Sequence, residues 1–455
     1  MAQAVLSDEA VRYLRDVGAA DIVIGIPSYN NARTIAHVVK AAQAGLSQYF
    51  PQYRSVIVNS DGGSTDGTRE QVLKAEIEES HLLLLSTPLL PVHRLALPYH
   101  GIPGKGSAFR TIFTLAQELR AQACAVIDSD LRSITPEWIS LLVRPLLHSG
   151  FDFAAPYYHR HKYDGTITNS IVYPLTRALY GQQVRQPIGG DFGISGKLVA
   201  RYLEREDWET DVARFGIDIW LTTIALAEGY RVCQSFLGAK LHDAKDPGSD
   251  LSAMLHQVTG SVFQLMAEYE DRWQNISGSR KVDLFGFRFD VGLEPIRVNV
   301  DRMIHSFVEG CRNLEEVWAL ALAPERLKAW LSAGRGLPDQ PSEFHVPDEL
   351  WVRSIHDFAC AYRSTPLGRG HLLRSLTPLY LARVASFVME TREDGAAEVE
   401  EKIENLCLCF EREKPGLIAK WNSTQNYERH PAAAPSPESG NGPARSPETE
   451  VEVKS

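Results

Sequence analysis

The sequence is poor in cysteine and has no excess of positive charge, and both shortages narrow the possible functions. Its 455 residues include only six cysteines, and no two of them have the CxxC spacing that is typical of zinc sites. We therefore expect the cysteines to be small apolar core residues. The 47 lysines and arginines are outnumbered by 57 aspartates and glutamates, which gives a net charge of -10. This balance argues against a protein that binds nucleic acid through its phosphate backbone.

Long apolar runs are absent as well. No segment of about 18 apolar residues occurs, and the richest stretch, 82–97, is broken by prolines and by polar and charged side chains. The start of the sequence, 1–12, lacks the basic segment and apolar run of a signal peptide. We therefore expect a cytoplasmic protein with no membrane partner. A hydrophobic content of 44% and a charged content of 23% are typical of ordinary globular proteins.

In the first half of the chain, segments typical of strands alternate with segments typical of helices. The apolar runs that predict strands are 22–26, 55–58, 82–85 and 123–127, and the helical patterns between them are 34–45, 68–80 and 104–119. Pro136 is placed to begin a further helix, where its missing N–H costs nothing. This alternation predicts an α/β fold with a mostly parallel sheet covered by helices on both faces.

The pattern changes after about residue 293, where helical periodicity replaces strand-like runs. From about residue 429 the chain is rich in Pro, Ser, Glu and Ala without large apolar residues, a composition that cannot offset chain entropy. We expect a lead-in at 1–20, an α/β domain at 21–292, a helical region at 293–428 and a disordered tail at 429–455. The helical region is expected to serve in packing or oligomerisation, with a homodimer as the expected assembly.

Polar clusters follow three of the predicted strands. They occupy 27–31, 61–68 and 128–130. Because ligands bind at the carboxyl ends of strands in open parallel sheets, we expect one shared site. Asp128 and Asp130 lie two residues apart, so their carboxylates point to the same side of an extended strand end. Such hard oxygen ligands suit Mg²⁺ or Mn²⁺, and a solvated turn is the alternative explanation.

The segment Pro103-Gly104-Lys105-Gly106 begins the helix predicted at 104–119. Backbone N–H groups at a helix start favour anions, and Lys105 adds a positive charge. The segment is not a P-loop, because Gly106 stands where serine or threonine is required and Gly101 is two residues too close. We expect an anion-binding helix start, with an ordinary solvated cap as the alternative.

In this order the motifs resemble the GT-A fold of nucleotide-sugar glycosyltransferases. The resemblance covers roughly 20–260, and its motifs are IPSYN, DGGSTDGT, PGKG, DSD, QPIGGD, FGID and KLH. Together they look like the retaining synthases of glucosylglycerate, glucosyl-3-phosphoglycerate and mannosylglycerate. The resemblance implies a hexosyltransferase that moves glucose or mannose from a nucleotide sugar to D-glycerate with Mg²⁺ or Mn²⁺. Its product would be a compatible solute of the glucosylglycerate type.

The resemblance also implies roles for individual residues. The nucleotide would be bound by Pro27, Tyr29, Asn31, Gly62, Lys105, Asp128 and Ser129. The metal would be bound by Asp128, Asp130 and His242. The donor sugar would contact Gly189, Gly190 and Asp191, with Asp191 and Asp218 as the catalytic carboxylates. The acceptor would be bound by Arg160, Gly165, Thr166 and Thr168.

The sequence leaves several alternatives open for the substrates and for the class of protein. Asn31 stands where the family often has an acidic residue, so uridine, guanosine and adenosine all remain candidate bases. Thr166 stands where the phosphoglycerate-using branch typically carries arginine, which favours D-glycerate over 3-phosphoglycerate as acceptor. Asp218 has a second explanation as a helix N-cap. An inverting GT-A transferase acting on a polysaccharide or lipid and a non-catalytic sugar-nucleotide-binding protein are the other classes. A nucleotidyltransferase is disfavoured, because no GxGTR-type loop follows the first strand.

Overall fold

A computed structural model of the chain describes residues 6–75, 92–98, 103–241, 251–288, 296, 298–336, 344–364 and 367–429. Within these ranges the strands are β1 Ile22–Ser28, β2 Ser55–Asp61, β3 Val92–Pro98, β4 Ala123–Val126, β5 Phe153–His159, β6 Gln182–Gln183, β7 Phe192–Ser195, β8 Val232–Ala239, β9 Arg280–Lys281 and β10 Asp283–Phe285. Eight of them form one sheet in the order β10-β8-β5-β7-β4-β1-β2-β3, and β6 pairs with β9.

Sixteen α-helices are described in the same ranges. In the first part of the chain they are α1 Asp8–Val17, α2 Ile35–Tyr49, α3 Thr68–Lys74, α4 Lys105–Glu118, α5 Pro136–Ser149, α6 Tyr173–Tyr180, α7 Gly196–Leu203, α8 Ile217–Ala227, α9 Ser252–Glu268 and α10 Glu270–Trp273. From Val300 onward they are α11 Val300–Asn313, α12 Glu315–Ala319, α13 Pro324–Arg335, α14 Asp348–Ser364, α15 Arg369–Glu390 and α16 Ala396–Arg429. A π-helical turn, Thr168–Val172, precedes α6.

The sheet is parallel except for β7, which runs antiparallel to both of its neighbours, β4 and β5. The reversal of β7 brings the residues just before it, Gly189–Asp191, to the edge where the parallel strands end. The prediction of an α/β fold with a mostly parallel sheet and a helical region after it is confirmed. This arrangement determines which loops meet at the ligand-binding edge.

Alternating residues of β1 pack on opposite faces of the sheet. Ile22, Ile24 and Ile26 belong to the apolar cluster that includes residues of α2 and α5, and Val23 belongs to the cluster that includes residues of α4. Gly25 lies on the α4 side, where a Cβ atom would be 2.3 Å from Ile112 Cγ2. The missing side chain therefore lets α4 lie close against the sheet, with its first residue near the strand ends.

The predicted segments correspond well to the observed ones where the structure describes them. The strands predicted at 22–26, 55–58 and 123–127 are β1, β2 and β4, and the helices predicted at 34–45 and 104–119 are α2 and α4. The strand predicted at 82–85 and the 76–80 part of the helix predicted at 68–80 lie outside the described residues. The strand β3 at the sheet edge was not predicted, because its run contains histidine, arginine and a closing proline.

The helical region packs on α6 and α9 of the α/β part. One apolar cluster runs from Phe109 and Val126 in the α/β part to Trp330 and Trp351 in the helical part. Burial of such aromatic side chains stabilises the contact by removing apolar surface from water. The division into four segments stays a prediction, and the tail from 430 lies outside the described residues.

The cysteines and the helices agree with two further expectations. All six cysteines are buried and free of disulfides, as expected for small core residues. In the described part of the chain, no helix is long and apolar enough to cross a bilayer.

The buried His356 should make the stability of the protein depend on pH. It is buried on α14 against the Phe410 ring, and burial outweighs the opposite effect of Asp357 and lowers its pKa to about 4. Between that pH and the ordinary value of about 6.5, the unfolded chain binds more protons than the folded one. The free energy of unfolding should therefore fall by roughly 2–3 kcal/mol as the pH falls through this window. Urea unfolding of the protein and of His356→Gln at several pH values checks this. Equal pH slopes for both proteins would contradict it.

Candidate active site

A cavity of ≈ 770 Å³ lies at the carboxyl ends of β1, β2, β4, β5 and β8. This is the edge at which parallel sheets bind ligands. The predicted site residues that line the cavity are Pro27, Tyr29, Asn31, Gly62, Lys105, Asp128, Ser129, Asp130, Arg160, Gly165, Thr166, Thr168, Gly189, Gly190 and Asp218. The structure thus brings residues from all the predicted clusters to one place. His242 lies outside the described residues.

Asp128 lies between two lysines. Lys105 Nζ is 2.8 Å from Asp128 Oδ1, and Lys240 Nζ donates to Asp128 Oδ2 at 2.7 Å. Burial opposes each of these charges, but the attraction between them is stronger. The pKa of Asp128 is therefore held below its ordinary value, and the pKa values of Lys105 and Lys240 are held above theirs. All three groups are therefore charged at neutral pH. Together they form a charged part of the cavity lining, which we call the Asp128 wall.

Asp191 lies behind this wall and is fully buried. Its Oδ1 accepts a hydrogen bond from the backbone N–H of Asp128 at 2.8 Å. Its Oδ2 accepts from Lys240 Nζ at 2.9 Å and from the hydroxyl of Tyr158. Asp191 therefore contacts the strand end that carries Asp128, and it does not line the cavity itself.

Lys105 also contacts a second carboxylate besides Asp128, that of Asp218. Lys105 Nζ is 3.2 Å from Asp218 Oδ1. Burial raises the pKa of Asp218, Lys105 lowers it, and the neighbouring Asp128 raises it further, with a net rise. Helix α8 has Gly216 at its N-cap and no side-chain capping bond. The alternative explanation of Asp218 as a helix N-cap is therefore wrong.

Asn31 connects all three polar clusters. Its Oδ1 accepts hydrogen bonds from Ser129 Oγ at 2.8 Å and from the Tyr29 backbone N–H at 2.9 Å. Its own backbone N–H donates to Thr68 Oγ1 at 2.9 Å. These bonds hold the loops after β1, β2 and β4 together. The Tyr29 side chain is 64% exposed at the rim of the cavity, so a flat aromatic surface is available there.

Two glycines let the backbone before β7 pack closely against its neighbours. At Gly189 a Cβ atom would be 2.1 Å from Pro156 Cγ, and at Gly190 it would be 2.2 Å from Asp128 Oδ2. Gly190 also has φ 91, in the left-handed region that favours glycine. No other residue fits at Gly190 without moving the carboxylate that both lysines bind.

The opposite end of the cavity is formed by the segment after β5. Arg160, Gly165, Thr166 and Thr168 line it. The Arg160 guanidinium lies over the Tyr158 ring, and its Nη1 is 3.9 Å from Asp164 Oδ2. Within the described ranges, its buried Nε has no hydrogen-bond partner. The Arg160 guanidinium therefore places a positive charge at this end of the cavity.

The central part of this site lies in a segment that matches a known family. Residues 23–195 match the model of Glycosyl transferase family 2. Residues 23–195 are a glycosyltransferase domain. The domain contains the strand ends of β1, β2, β4 and β5, with Lys105, Asp128 and Arg160.

Solved structures with similarity to the chain include two of glucosyl-3-phosphoglycerate synthase from Mycobacterium tuberculosis. The complex with Mg²⁺ and UDP is 21% identical, and the match covers 57% of this chain and 83% of that one, with a TM-score of 0.41. The complex with Mn²⁺, UDP-glucose and phosphoglyceric acid is 19% identical, over 56% and 83% of the two chains, with a TM-score of 0.41. Similarity at this level says nothing about the substrate. No curated protein matches the chain.

Lys240 is the main site residue that sequence reasoning missed. It lies beyond the residues that match the family 2 model, and in the sequence it is marked only as the first residue of the KLH motif. It directly follows β8, a strand whose eight residues are all buried. A lysine in such a place is almost never buried without a charged partner, and this rule could have found it. Sequence reasoning also missed Met254 and Val258 of α9, which form part of an apolar wall.

Proposed function

We propose that the chain is a metal-dependent, retaining glycosyltransferase that moves glucose or mannose from a nucleotide sugar to D-glycerate. One observation carries the proposal: one cavity holds the Lys105–Asp128–Lys240 cluster between the loops after β1 and β2 and the Arg160 end. A sugar diphosphate in the middle would then have its nucleoside on one side and a small anionic acceptor on the other.

The nucleoside would lie against the loops after β1 and β2. Tyr29 offers an exposed ring for the base, and Asn31 and Gly62 line the wall beside it. The diphosphate would meet the start of α4, where backbone N–H groups and Lys105 favour an anion.

The charges around the diphosphate position require a further cation. The carboxylates near this position outnumber the lysines. They are Asp128, Asp130, Asp191 and Asp218, and the lysines are Lys105 and Lys240. Carboxylate oxygens suit Mg²⁺ or Mn²⁺, so Asp128 and Asp130 would hold the ion, with His242 as the third ligand. The ion would compete with Lys105 and Lys240 for the oxygens of Asp128. An ion bound there would neutralise the negative charge that develops on the departing diphosphate.

The acceptor would bind at the Arg160 end. A guanidinium forks onto the two oxygens of a carboxylate, and Thr168 can donate a hydroxyl hydrogen bond. Of the lysines and arginines that line the described cavity, Lys105 and Lys240 bind Asp128, whereas Arg160 lies at the acceptor end, 3.9 Å from Asp164. One guanidinium suits one carboxylate, which favours D-glycerate over 3-phosphoglycerate.

The reaction would proceed with retention. The acceptor hydroxyl would attack the anomeric carbon on the face from which the diphosphate departs, and a diphosphate oxygen would take its proton. The backbone of Gly189 and Gly190 would hold the sugar hydroxyls. The Asp218 carboxylate, held by Lys105 at 3.2 Å, would support the positive charge that develops on the sugar.

A donor-by-acceptor matrix tests the proposal. UDP-, GDP- and ADP-glucose and GDP-mannose are each incubated with D-glycerate and 3-phosphoglycerate, with and without EDTA. We expect transfer to D-glycerate from one of these donors, its loss with EDTA and its return with excess Mg²⁺. Faster transfer to 3-phosphoglycerate would overturn the acceptor assignment. Donor binding without transfer to any acceptor would favour a binding protein.

Asp130→Asn tests the metal site. The substitution removes one anionic oxygen ligand, so we expect Mn²⁺ affinity in a calorimetric titration and the rate of transfer to fall at least about 100-fold. Glu137→Gln is the matched control, because it makes the same charge change at an exposed position on α5 outside the cavity. Equal Mn²⁺ affinity in both variants would show that Asp130 is not a ligand.

A further inference from the structure

The acceptor end of the cavity is fastened to the helical region. We call residues 160–168 the acceptor loop. Lys162 Nζ donates to the carbonyl of Thr391 at 2.6 Å and to that of Asp394 at 2.9 Å, just beyond the end of α15. The Tyr163 hydroxyl donates to the carbonyl of Val388 at 3.3 Å. These bonds hold the first half of the loop on α15, although more than 200 residues separate the partners.

A third contact reaches the wall of the cavity itself. Thr166 Oγ1 and Tyr380 Oη lie 2.6 Å apart. Both residues are buried, but Thr166 lines the cavity and Tyr380 lies behind it. The hydrogen bond fixes the side-chain rotamer of Thr166. Thr166 is also two residues before Thr168, which begins the π-helical turn on the same wall.

We infer that Tyr380 of α15 is a positioning residue for the acceptor, which acts through Thr166 to hold the wall formed by 166–168. The acceptor's identity in this inference rests on the proposed function. The helical region then takes part in acceptor binding rather than serving only as packing.

The effect of the Tyr380 hydroxyl is expected to be local. Lys162 and Tyr163 tether the loop independently and through backbone carbonyls, so the loop stays attached when the Tyr380 hydroxyl is removed. Burial raises the pKa of Tyr380 well above its ordinary value, so its hydroxyl keeps its proton across the physiological range. The nucleotide wall is formed by other elements, β1 and β2, and donor binding should not change.

Steady-state kinetics of Tyr380→Phe, Thr166→Val and the double variant test the inference. Loss of one buried hydrogen bond should raise the acceptor KM about threefold to tenfold. The donor KM should stay within about twofold, and Tyr380→Phe should change the acceptor KM by less than about twofold when Thr166 is already valine. Tyr202→Phe is the control, because it removes a buried hydroxyl that donates to the carbonyl of Leu221 and lies outside the cavity wall. Equal rises in both KM values, or effects that multiply in the double variant, would overturn the inference.

Hydrogen exchange separates this inference from the proposed function. If none of the acceptors is glycosylated, the proposed function fails, and exchange of the 166–172 amides becomes the deciding readout. Tyr380→Phe should speed that exchange while Tyr202→Phe leaves it unchanged, because the local opening free energy depends on the lost bond. Exchange that is equally protected in both variants would overturn the role of Tyr380.

Discussion

Lys240→Met is expected to destabilise the protein by about 3–5 kcal/mol, because it leaves the buried Asp191 carboxylate without its cation. The Lys240 side chain is 4% exposed, and its ammonium group binds Asp128, Asp191 and the carbonyl of Gly189 within 2.9 Å. Methionine has similar length but no charge, so it fills the space and removes only the ionic contacts. Transfer by the folded fraction should fall at least about 100-fold, because the Asp128 wall is displaced. Urea unfolding and initial rates measure the two effects separately.

Lys197→Met is the matched control for Lys240→Met. Lys197 is exposed on α7 outside the cavity. Its substitution should therefore change the free energy of unfolding of the protein by less than about 1 kcal/mol. If Lys240→Met were destabilised but transferred at the normal rate, the cluster would contribute to stability alone and not to the site.

Gly190→Ala is the second change with a large expected effect. The new Cβ atom would be 2.2 Å from Asp128 Oδ2, and φ 91 is strained for alanine. The strain should cost about 1–3 kcal/mol of stability. A displacement of Asp128 by about 1 Å should lower the rate of transfer about 100-fold. Initial rates at saturating donor and acceptor, together with the unfolding midpoint, measure both.

Gly229→Ala separates backbone strain from the steric effect. Gly229 has φ 78, but nothing lies within 4 Å of the added Cβ atom. Its substitution should cost stability similarly while the rate of transfer stays the same. Equal rates in the Gly190 and Gly229 variants would contradict the close packing of Gly190 on Asp128 as a requirement for transfer.

Much of the fold and cavity could be predicted because the signals are local. The buried strands β1, β2 and β4 are short apolar runs, and the polar clusters directly follow them. The carboxyl ends of parallel strands meet at one edge whatever their order. That is why Tyr29, Asp61 and Asp128 could be expected near each other before the sheet order was known.

The remaining features depend on contacts between distant segments. Lys240 reaches Asp128 because β8 pairs with β5, and β5 pairs with β7 next to β4, an order that no local pattern encodes. The reversal of β7 brings Gly190 to the same edge for the same reason. The contact of Tyr380 with Thr166 joins residues 214 positions apart. The contacts of these residues, as distinct from their residue types, therefore appear only in the folded chain.

The central claim is transfer of a hexose to D-glycerate with retention at the anomeric carbon. NMR spectra of a reaction with a nucleotide α-glucose labelled at the anomeric carbon, D-glycerate and Mg²⁺ test it most directly. We predict a new anomeric signal with the small coupling of an α-glycoside, linked to a glycerate carbon and absent when Lys240→Met replaces the native protein. A β-linked product, or release of free glucose without a glycerate linkage, would contradict the account.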